Sequence, residues 1–572
     1  MNTLKRRQAQ ATHTRAGLAL AAAFSEAAAE PPRSPALALQ RAARHSAAAQ
    51  KATTKAAQAT PKSPVRSAMA TRAVQATQVT QASKAPAQAG VTTRAAQALA
   101  SSIPQPGHAL VDADLNDCLH TYEQRVRGRF AAVLDVLRTL SSCQHERDFA
   151  AQAQTLALQK LGFELPTDWL SNAWVAGVDM AALHAHCLFQ TVAQSVQQAG
   201  FDQSCWRARM PIGPRQWRDW GYHTLDFSPC ADGRLQALLP FILRTTPAPH
   251  VWVKAYAGAL FDVEHDVADW TQRELERLTG AIEGGAQLDY LKVAVYHYSS
   301  SAPCEQGCAA HGSLDEQAVQ AAIERLVALQ MAVDNTFGLG AAPQVLLIGV
   351  DTDCDAIRIH LPDASGQIQR TRFLDSAALY RSTLGMAAGK ALQTVQQALQ
   401  RHVAELGGLA AKGNEAGMAA LAQAWLIANF SQIEYVNRHH AGRYAVIGHD
   451  EAFVCAGEAV PLLHLRNQFY FAHLDTVEEG AADLDVGARI FQGLNVQRGL
   501  ALPVLVHFTY DARVPGARAR AVQRGLRVAQ AIRARFAELA ERGLLHCRVA
   551  VSERQAGSML EWAEHAVLAA AH

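Results

Sequence analysis

The first 105 residues hold a single aromatic, Phe24, and consist mostly of Ala, Gln, Thr, Arg and Lys, so the core of this 572-residue chain has to come from the remainder. A segment with so little apolar area cannot offset the entropy of ordering its backbone, and residues 1–105 are predicted to be a disordered basic arm. The arm has 14 lysines and arginines against 2 acidic residues, leaving 39 against 49 in residues 106–572, so a net charge of +12 precedes one of −10. That asymmetry points to an acidic partner surface or a polyanion for the arm, and the body alone does not favour nucleic acid. A short unit recurs in the arm at Thr53–Ala59, Ala70–Ala76 and Thr92–Ala98. Repeated weak contacts suit a multi-site partner held by avidity. Lys5-Arg6-Arg7 before the run Ala16–Phe24 imitates a secretory signal, but the run is mostly alanine. Ten scattered cysteines are too few for a disulfide framework and fit a reducing, cytosol-like compartment. No run of about 18 apolar residues occurs, so no membrane partner is expected.

The rest divides into three regions. Residues 106–204 read as a helical domain, with Phe130, Val133, Leu134, Leu137 and Leu140 at amphipathic-helix spacing. Breaks at Pro166, Gly177 and Gly200 divide it into several helices, a separate small bundle without chemistry. His184 and His186 are two apart, do not share a helix face, and read as core or surface histidines. Residues 205–448 alternate β-like runs (Tyr222–Phe227, Leu291–Tyr298, Val345–Val350) with helical text such as Asp315–Asn335, the pattern of a parallel α/β sheet. In residues 449–572 the order repeats more weakly: Leu502–Phe508 echoes Leu291–Tyr298, and a helix Ala517–Leu539 and a strand Cys547–Val551 come after it. An internal duplication is expected, its second copy lacking the cysteine-bearing motif of the first.

That motif is Ser228-Pro229-Cys230-Ala231-Asp232-Gly233-Arg234. It follows the first strand and precedes an apolar helix, Leu235–Leu243, and so lies at a strand's carboxyl end, where open α/β sheets place their sites. The second strand ends at His297, and a short loop then carries Cys304, Cys308 and His311. Two thiolates and an imidazole at neighbouring strand ends make a tetrahedral zinc set with one open position, the arrangement of a catalytic site. Asp232 is placed to meet a metal-bound water, and Arg234 to form a bidentate pair that keeps the carboxylate off the metal. Activity rising toward alkaline pH is expected of such a centre. His449, at the boundary of the last two regions, is a candidate proton relay. Asp351-Thr352-Asp353-Cys354-Asp355 imitates a cation loop but lacks the glycine and terminal glutamate of a calcium loop, and its carboxylates read as surface or interface groups. A thiolate phosphatase is disfavoured because three residues, not five, separate Cys230 from Arg234.

Cys-x-Asp-x-Arg at one strand end with a distant His and Cys resembles the β-class carbonic anhydrases. The longer string Ser-Pro-Cys-Ala-Asp-Gly-Arg-Leu closely resembles the carboxysomal carbonic anhydrases of α-type carboxysomes, a divergent β-class subclass. So do Lys254–Gly258, His311–Ser313, Leu347–Asp353 and Ala472–Glu479. The resemblance covers roughly residues 115–555. It implies one Zn2+ per chain on Cys230, His297 and Cys308, with Asp232 and Arg234 as the catalytic dyad. Most β-class enzymes have His-x-x-Cys, whereas His297 and Cys308 are eleven apart here, which leaves Cys304 and His311 as competing ligands. The implied architecture is a helical domain, a catalytic β-carbonic-anhydrase-like α/β domain and a degenerate copy of it without metal. The implied activity is reversible hydration of CO2 to bicarbonate inside a carboxysome, beside Rubisco. The arm would then bind Rubisco or carboxysome scaffold or shell proteins, and the chain would form a homo-oligomer, a dimer or higher. The alternative is a non-catalytic scaffold or interaction protein with a structural zinc.

Overall fold

The computed structural model describes residues 107–171, 173, 177–207, 209–282, 287–410, 413–460, 464–474, 477–554 and 559–563. The arm and its repeats, and Asp475-Thr476 of the last family-like string, lie outside the described residues. Helix α1 (Ala113–Cys143) begins where the Asp112 carboxylate accepts the Leu115 N–H at 2.9 Å, a side-chain cap for an otherwise unpaired donor. It buries Leu115, Leu119, Tyr122, Val126, Val133, Leu137 and Leu140, a stripe at three- and four-residue spacing. Helices α2 (Phe149–Lys160) and α3 (Met180–Arg207) pack onto it. Gly200, expected as a break, lies within α3, because a lone glycine costs a helix only about 1 kcal/mol. His184 is a core histidine whose ring burial pushes down to about 4. The helical layer is docked on residues 205–448: the Asn116 amide donates to the Ser431 carbonyl at 2.9 Å and accepts from the Arg244 guanidinium at 2.8 Å.

Among the described residues the first sheet has six strands in the order β2-β1-β3-β4-β5-β6. Strands β1 (Tyr222–Pro229), β2 (Val251–Val253), β3 (Asp289–Tyr298) and β4 (Gln344–Asp351) are parallel, and β5 (Ile357–His360) and β6 (Leu374–Asp375) close the edge antiparallel. β1 and β4 are buried throughout and β3 nearly so, as strands covered on both faces must be. Helices α4 (Val263–Leu278) and α5 (Asp315–Phe337) make the crossovers, and α6 (Ser376–Thr383), α7 (Ala388–Glu405) and α8 (Glu415–His440) complete the layer. The helix expected over Leu235–Leu243 is instead a 3₁₀ turn, Gly233–Leu235, followed by one π turn, Leu238–Ile242. Pro240 lacks an N–H and interrupts the i→i−4 ladder, so the Leu243 N–H reaches five residues back to the Leu238 carbonyl.

The second sheet has five strands among the described residues, in the order β11-β10-β9-β7-β8. β7 (Phe453–Gly457), β8 (Phe469–His473), β9 (Leu502–Tyr510) and β10 (Leu545–Glu553) are parallel, and β11 (Glu561–Trp562) is antiparallel. Helices α9 (Val477–Leu494) and α10 (Ala517–Arg535) cover it. The order and direction of these five strands match those of the first five of the other sheet. β8 is an edge strand whose free amides bond to the segments that leave β1 and β2: Phe471 N–H to the Ala231 carbonyl and His473 N–H to the Ala255 carbonyl, both at 3.0 Å. One sheet's edge thereby buttresses the other sheet's strand ends.

Candidate metal centre

Cys230 is the first residue beyond β1, where its N–H still bonds the Val295 carbonyl of β3 at 3.1 Å, so its side chain emerges beside the end of β3. There, two residues past Val295, stands His297. Cys308 arrives from the loop after β3, just before a 3₁₀ turn, Ala309–His311. The three are buried, and their ligand atoms lie within 4.8 Å of one another. Cys230 Sγ and Cys308 Sγ are 3.7 Å apart. Sulfurs bound to one zinc at about 2.3 Å and a tetrahedral angle would be about 3.8 Å apart, so the spacing fits. Both ring nitrogens of His297 are buried without a hydrogen-bond partner, an arrangement that is costly unless something binds them. The sulfur–sulfur hydrogen bond holds Cys308 below the usual thiol range, while the same bond and burial hold Cys230 above it. The donor set therefore fits a thiophilic dication such as zinc.

Asp232 and Arg234 form the expected bidentate pair: Asp232 Oδ1 accepts from Nε at 2.9 Å and Oδ2 from Nη2 at 2.7 Å. Burial opposes the ionised carboxyl, but Arg234, His449 and His297 hold Asp232 well below the usual carboxylate range. The remaining Arg234 donors are committed to the Gln306, Gly307 and Ile447 carbonyls at 2.6, 3.2 and 3.1 Å. This guanidinium thus ties the Cys308 loop to the β1 motif and has no N–H to spare for a phosphate, which removes the phosphatase reading. Asp232 Oδ2 is 3.4 Å from His297 Nε2 and 3.8 Å from His449 Nε2. His449 Nδ1 is 2.9 Å from Glu451 Oε1, which also accepts the Gly233 N–H at 3.1 Å. Burial lowers the His449 pKa, but the two carboxylates outweigh it and the net direction is up. At position 233 a Cβ would stand 2.3 Å from the Glu451 side chain, so glycine is required.

His311 is not part of the cluster: its Nε2 donates to the Gly258 carbonyl at 3.1 Å. Cys304 is exposed and also outside it. The Asp351, Asp353 and Asp355 carboxylates, expected as surface or interface groups, are buried. They accept from their own neighbourhood, Asp353 from the Ser299 hydroxyl and Asp351 from the Asp353 N–H, which is why the loop folds inward. Several residues at the centre carry no signal in the sequence pattern. A cavity of about 10 Å³ beside Cys230, Asp232 and His449 is walled by Ala257, Gly258, Ala310, Tyr470, Val486 and Ile490. The last three come from β8 and α9 of the second sheet. A larger cavity of about 480 Å³ shares Ala257, Ala310 and Val486 with it as lining residues.

Family comparison falls on this frame. Models of the carboxysome shell carbonic anhydrase match in three parts: the N-terminal domain over residues 108–200, the catalytic domain over 215–449 and the C-terminal domain over 450–567. The chain belongs to the carboxysome shell carbonic anhydrase family. The carboxysome shell carbonic anhydrase of Prochlorococcus marinus (strain MIT 9313) is 44% identical over 457 residues, covering 78% of this chain and 87% of that one. Those of Parasynechococcus marenigrum (strain WH8102) and Halothiobacillus neapolitanus are 43% and 39% identical, covering 78% and 79% of this chain and 77% and 89% of theirs. This carbonic anhydrase has its Cys-His-Cys cluster and Asp-Arg pair inside the segment matched by the catalytic-domain model. No described helix is long and apolar enough to cross a membrane.

Proposed function

We propose that this enzyme catalyses the reversible hydration of CO2 to bicarbonate and a proton, using one Zn2+ held by Cys230, His297 and Cys308. The observation that carries the reading is the convergence of two thiols and an unpartnered imidazole from three segments beside a carboxylate pinned by an arginine. Zinc there supplies Lewis-acid activation of water near neutral pH. The protein's own groups do the rest. Asp232, fixed by Arg234 and ionised, is an acceptor that orients the attacking water and refuses a second acceptor in the same place. Ala257, Val486, Ile490 and the Tyr470 ring offer an apolar wall for CO2. His449 takes the released proton at Nε2, its Nδ1–H held by Glu451.

The second sheet is a copy of the first that has lost its metal. In the matching position Glu458 N–H bonds the His507 carbonyl, as Cys230 N–H bonds Val295, and two residues further on Thr509 stands where His297 does. Glu458 and Thr509 satisfy each other: one carboxylate oxygen accepts from both the Thr509 N–H and its hydroxyl. The enzyme works within a carboxysome, dehydrating bicarbonate for Rubisco. It docks to Rubisco, or to scaffold or shell proteins, through the basic segment 1–105, and pairs further as a homo-oligomer.

Metal analysis and a CO2 hydration assay on the wild type and Asp232→Asn test the reading. One zinc per chain is expected in both, with turnover in the variant reduced roughly 100-fold or more. Chelation is expected to abolish hydration while leaving secondary structure intact. A zinc-free active wild type, or a fully active Asp232→Asn, would refute it.

A further inference from the structure

The turn that follows β2 touches the metal centre through its backbone. Gly258 N–H donates to Cys230 Sγ at 3.2 Å, a bond that stabilises thiolate over thiol. Gly258 has φ +70, a left-handed conformation that glycine adopts without strain, and a Cβ there would stand 2.5 Å from His311 Nε2. The donor is therefore part of a shaped turn, and two side chains fix that turn. His311 Nε2 grips the Gly258 carbonyl. Asp483, from α9, accepts the Ala257 N–H on Oδ1 at 2.9 Å. Its backbone carbonyl also receives the Tyr470 hydroxyl at 2.9 Å, so the residue joins the cavity wall to the turn. The Asp483 carboxyl is mostly out of water and no basic side chain pairs with it among the described residues, so burial pushes it up to about 7. A carboxyl kept in such a place at a cost to stability calls for a reason, and the Ala257 N–H is the partner it meets.

We propose that Asp483 and His311 are positioning residues for the metal centre, clamping the 256–259 turn so that Gly258 N–H bonds Cys230 Sγ and sets how tightly that sulfur holds metal. The proposal rests on the reading that Cys230 is a metal ligand. It gives the second sheet's domain a direct part in the centre, through a residue more than 170 positions along the chain from any ligand. Groups that support metal ligands typically change affinity by about 10–100-fold when removed.

The test uses the full chain loaded with Co2+ or Zn2+, reading zinc affinity by chelator competition and the sulfur-to-cobalt charge-transfer band by absorption. If the wild type shows no such band, the metal-ligand reading itself fails. With the band present, Asp483→Ala is expected to shift it and to weaken zinc binding about 10-fold or more. Asp483→Asn keeps an oxygen that can accept the Ala257 N–H and should return both readouts to near wild type. Circular dichroism and thermal unfolding establish that the variants are folded. Should Asp483→Ala fail to fold, His311→Ala, which releases the same turn from the Gly258 carbonyl, carries the same expectation. A folded Asp483→Ala or His311→Ala with wild-type band and affinity would overturn the proposal, as would an Asp483→Asn as impaired as Asp483→Ala.

Discussion

Asp232 and Asp355 are both buried carboxylates, yet their surroundings push them in opposite directions. Asp232 meets a guanidinium through two parallel hydrogen bonds. Asp355 meets neutral donors, the Tyr444 hydroxyl at 2.7 Å and the Gln432 amide at 2.9 Å, and burial outweighs the distant Arg466 to push it up to about 6. A folded-state pKa above the unfolded value means the carboxylate costs nothing below about pH 4, and the cost grows as pH rises through 6. Asp355→Asn removes that charge, keeps an acceptor and suits the residue's φ of +59. Its stability gain over wild type should therefore increase by about 2 kcal/mol between pH 4.5 and pH 8. Urea midpoints at the two values measure this; an equal difference at both would refute it. The same contrast explains what could be read from residues alone. Cys230, Asp232 and Arg234 were legible because they share one short string at a strand end. Glu451, Gly258 and Asp483 were not, since each acts through a backbone N–H of, or a sulfur on, a residue remote in sequence, and no local pattern records such a bond.

At the scale of elements, the buried runs announced themselves: β1, β3 and β4 coincide with Tyr222–Phe227, Leu291–Tyr298 and Val345–Val350 to within two residues at each end, because doubly covered parallel strands leave unbroken apolar text. The edge strands β2 and β8 gave no such signal. Three half-exposed residues make too short a run in β2, and β8 is defined by what it bonds, namely Ala231 and Ala255. The Leu235–Leu243 run misled because apolar composition does not register that Pro240 withholds an N–H. Matching strand order in the two sheets also makes a prediction about the second one. Glu458 and Thr509 stand where Cys230 and His297 stand in the first, and on the proposal that this copy holds no metal their mutual bond is structural. Glu458→Ala leaves the Thr509 N–H and hydroxyl short of a partner and should cost about 1–3 kcal/mol of stability. Turnover and the content of one metal ion per chain should be unchanged. A loss of metal or activity out of proportion to the stability change would mean that the second sheet still holds a working centre.

For the molecule as a whole, charge divides where the family match begins. Residues 1–105 carry +12 and the remainder −10, and the matched segments start at residue 108. Every group named at the metal centre lies in the acidic remainder, so turnover is expected to survive loss of the basic segment, whose charge suits an acidic partner. Its three repeats each place one cation in the same setting, at Lys55, Arg72 and Arg94. Separate weak contacts joined on one chain multiply through effective concentration. Replacing a single one of these cations by glutamine should then weaken capture of the full-length enzyme by Rubisco modestly, and the triple substitution should weaken it far more. Deletion of 1–105 should abolish co-packaging into carboxysomes. All of these variants should retain wild-type CO2 hydration, and raised salt should weaken binding of the unsubstituted chain, because exposed charges are screened within about 10 Å at 0.1 M ionic strength. Pull-down across a salt series, with hydration measured on the same preparations, decides it. Normal packaging of the truncated enzyme, or binding indifferent to both salt and the triple substitution, would place the docking surface on the folded body instead.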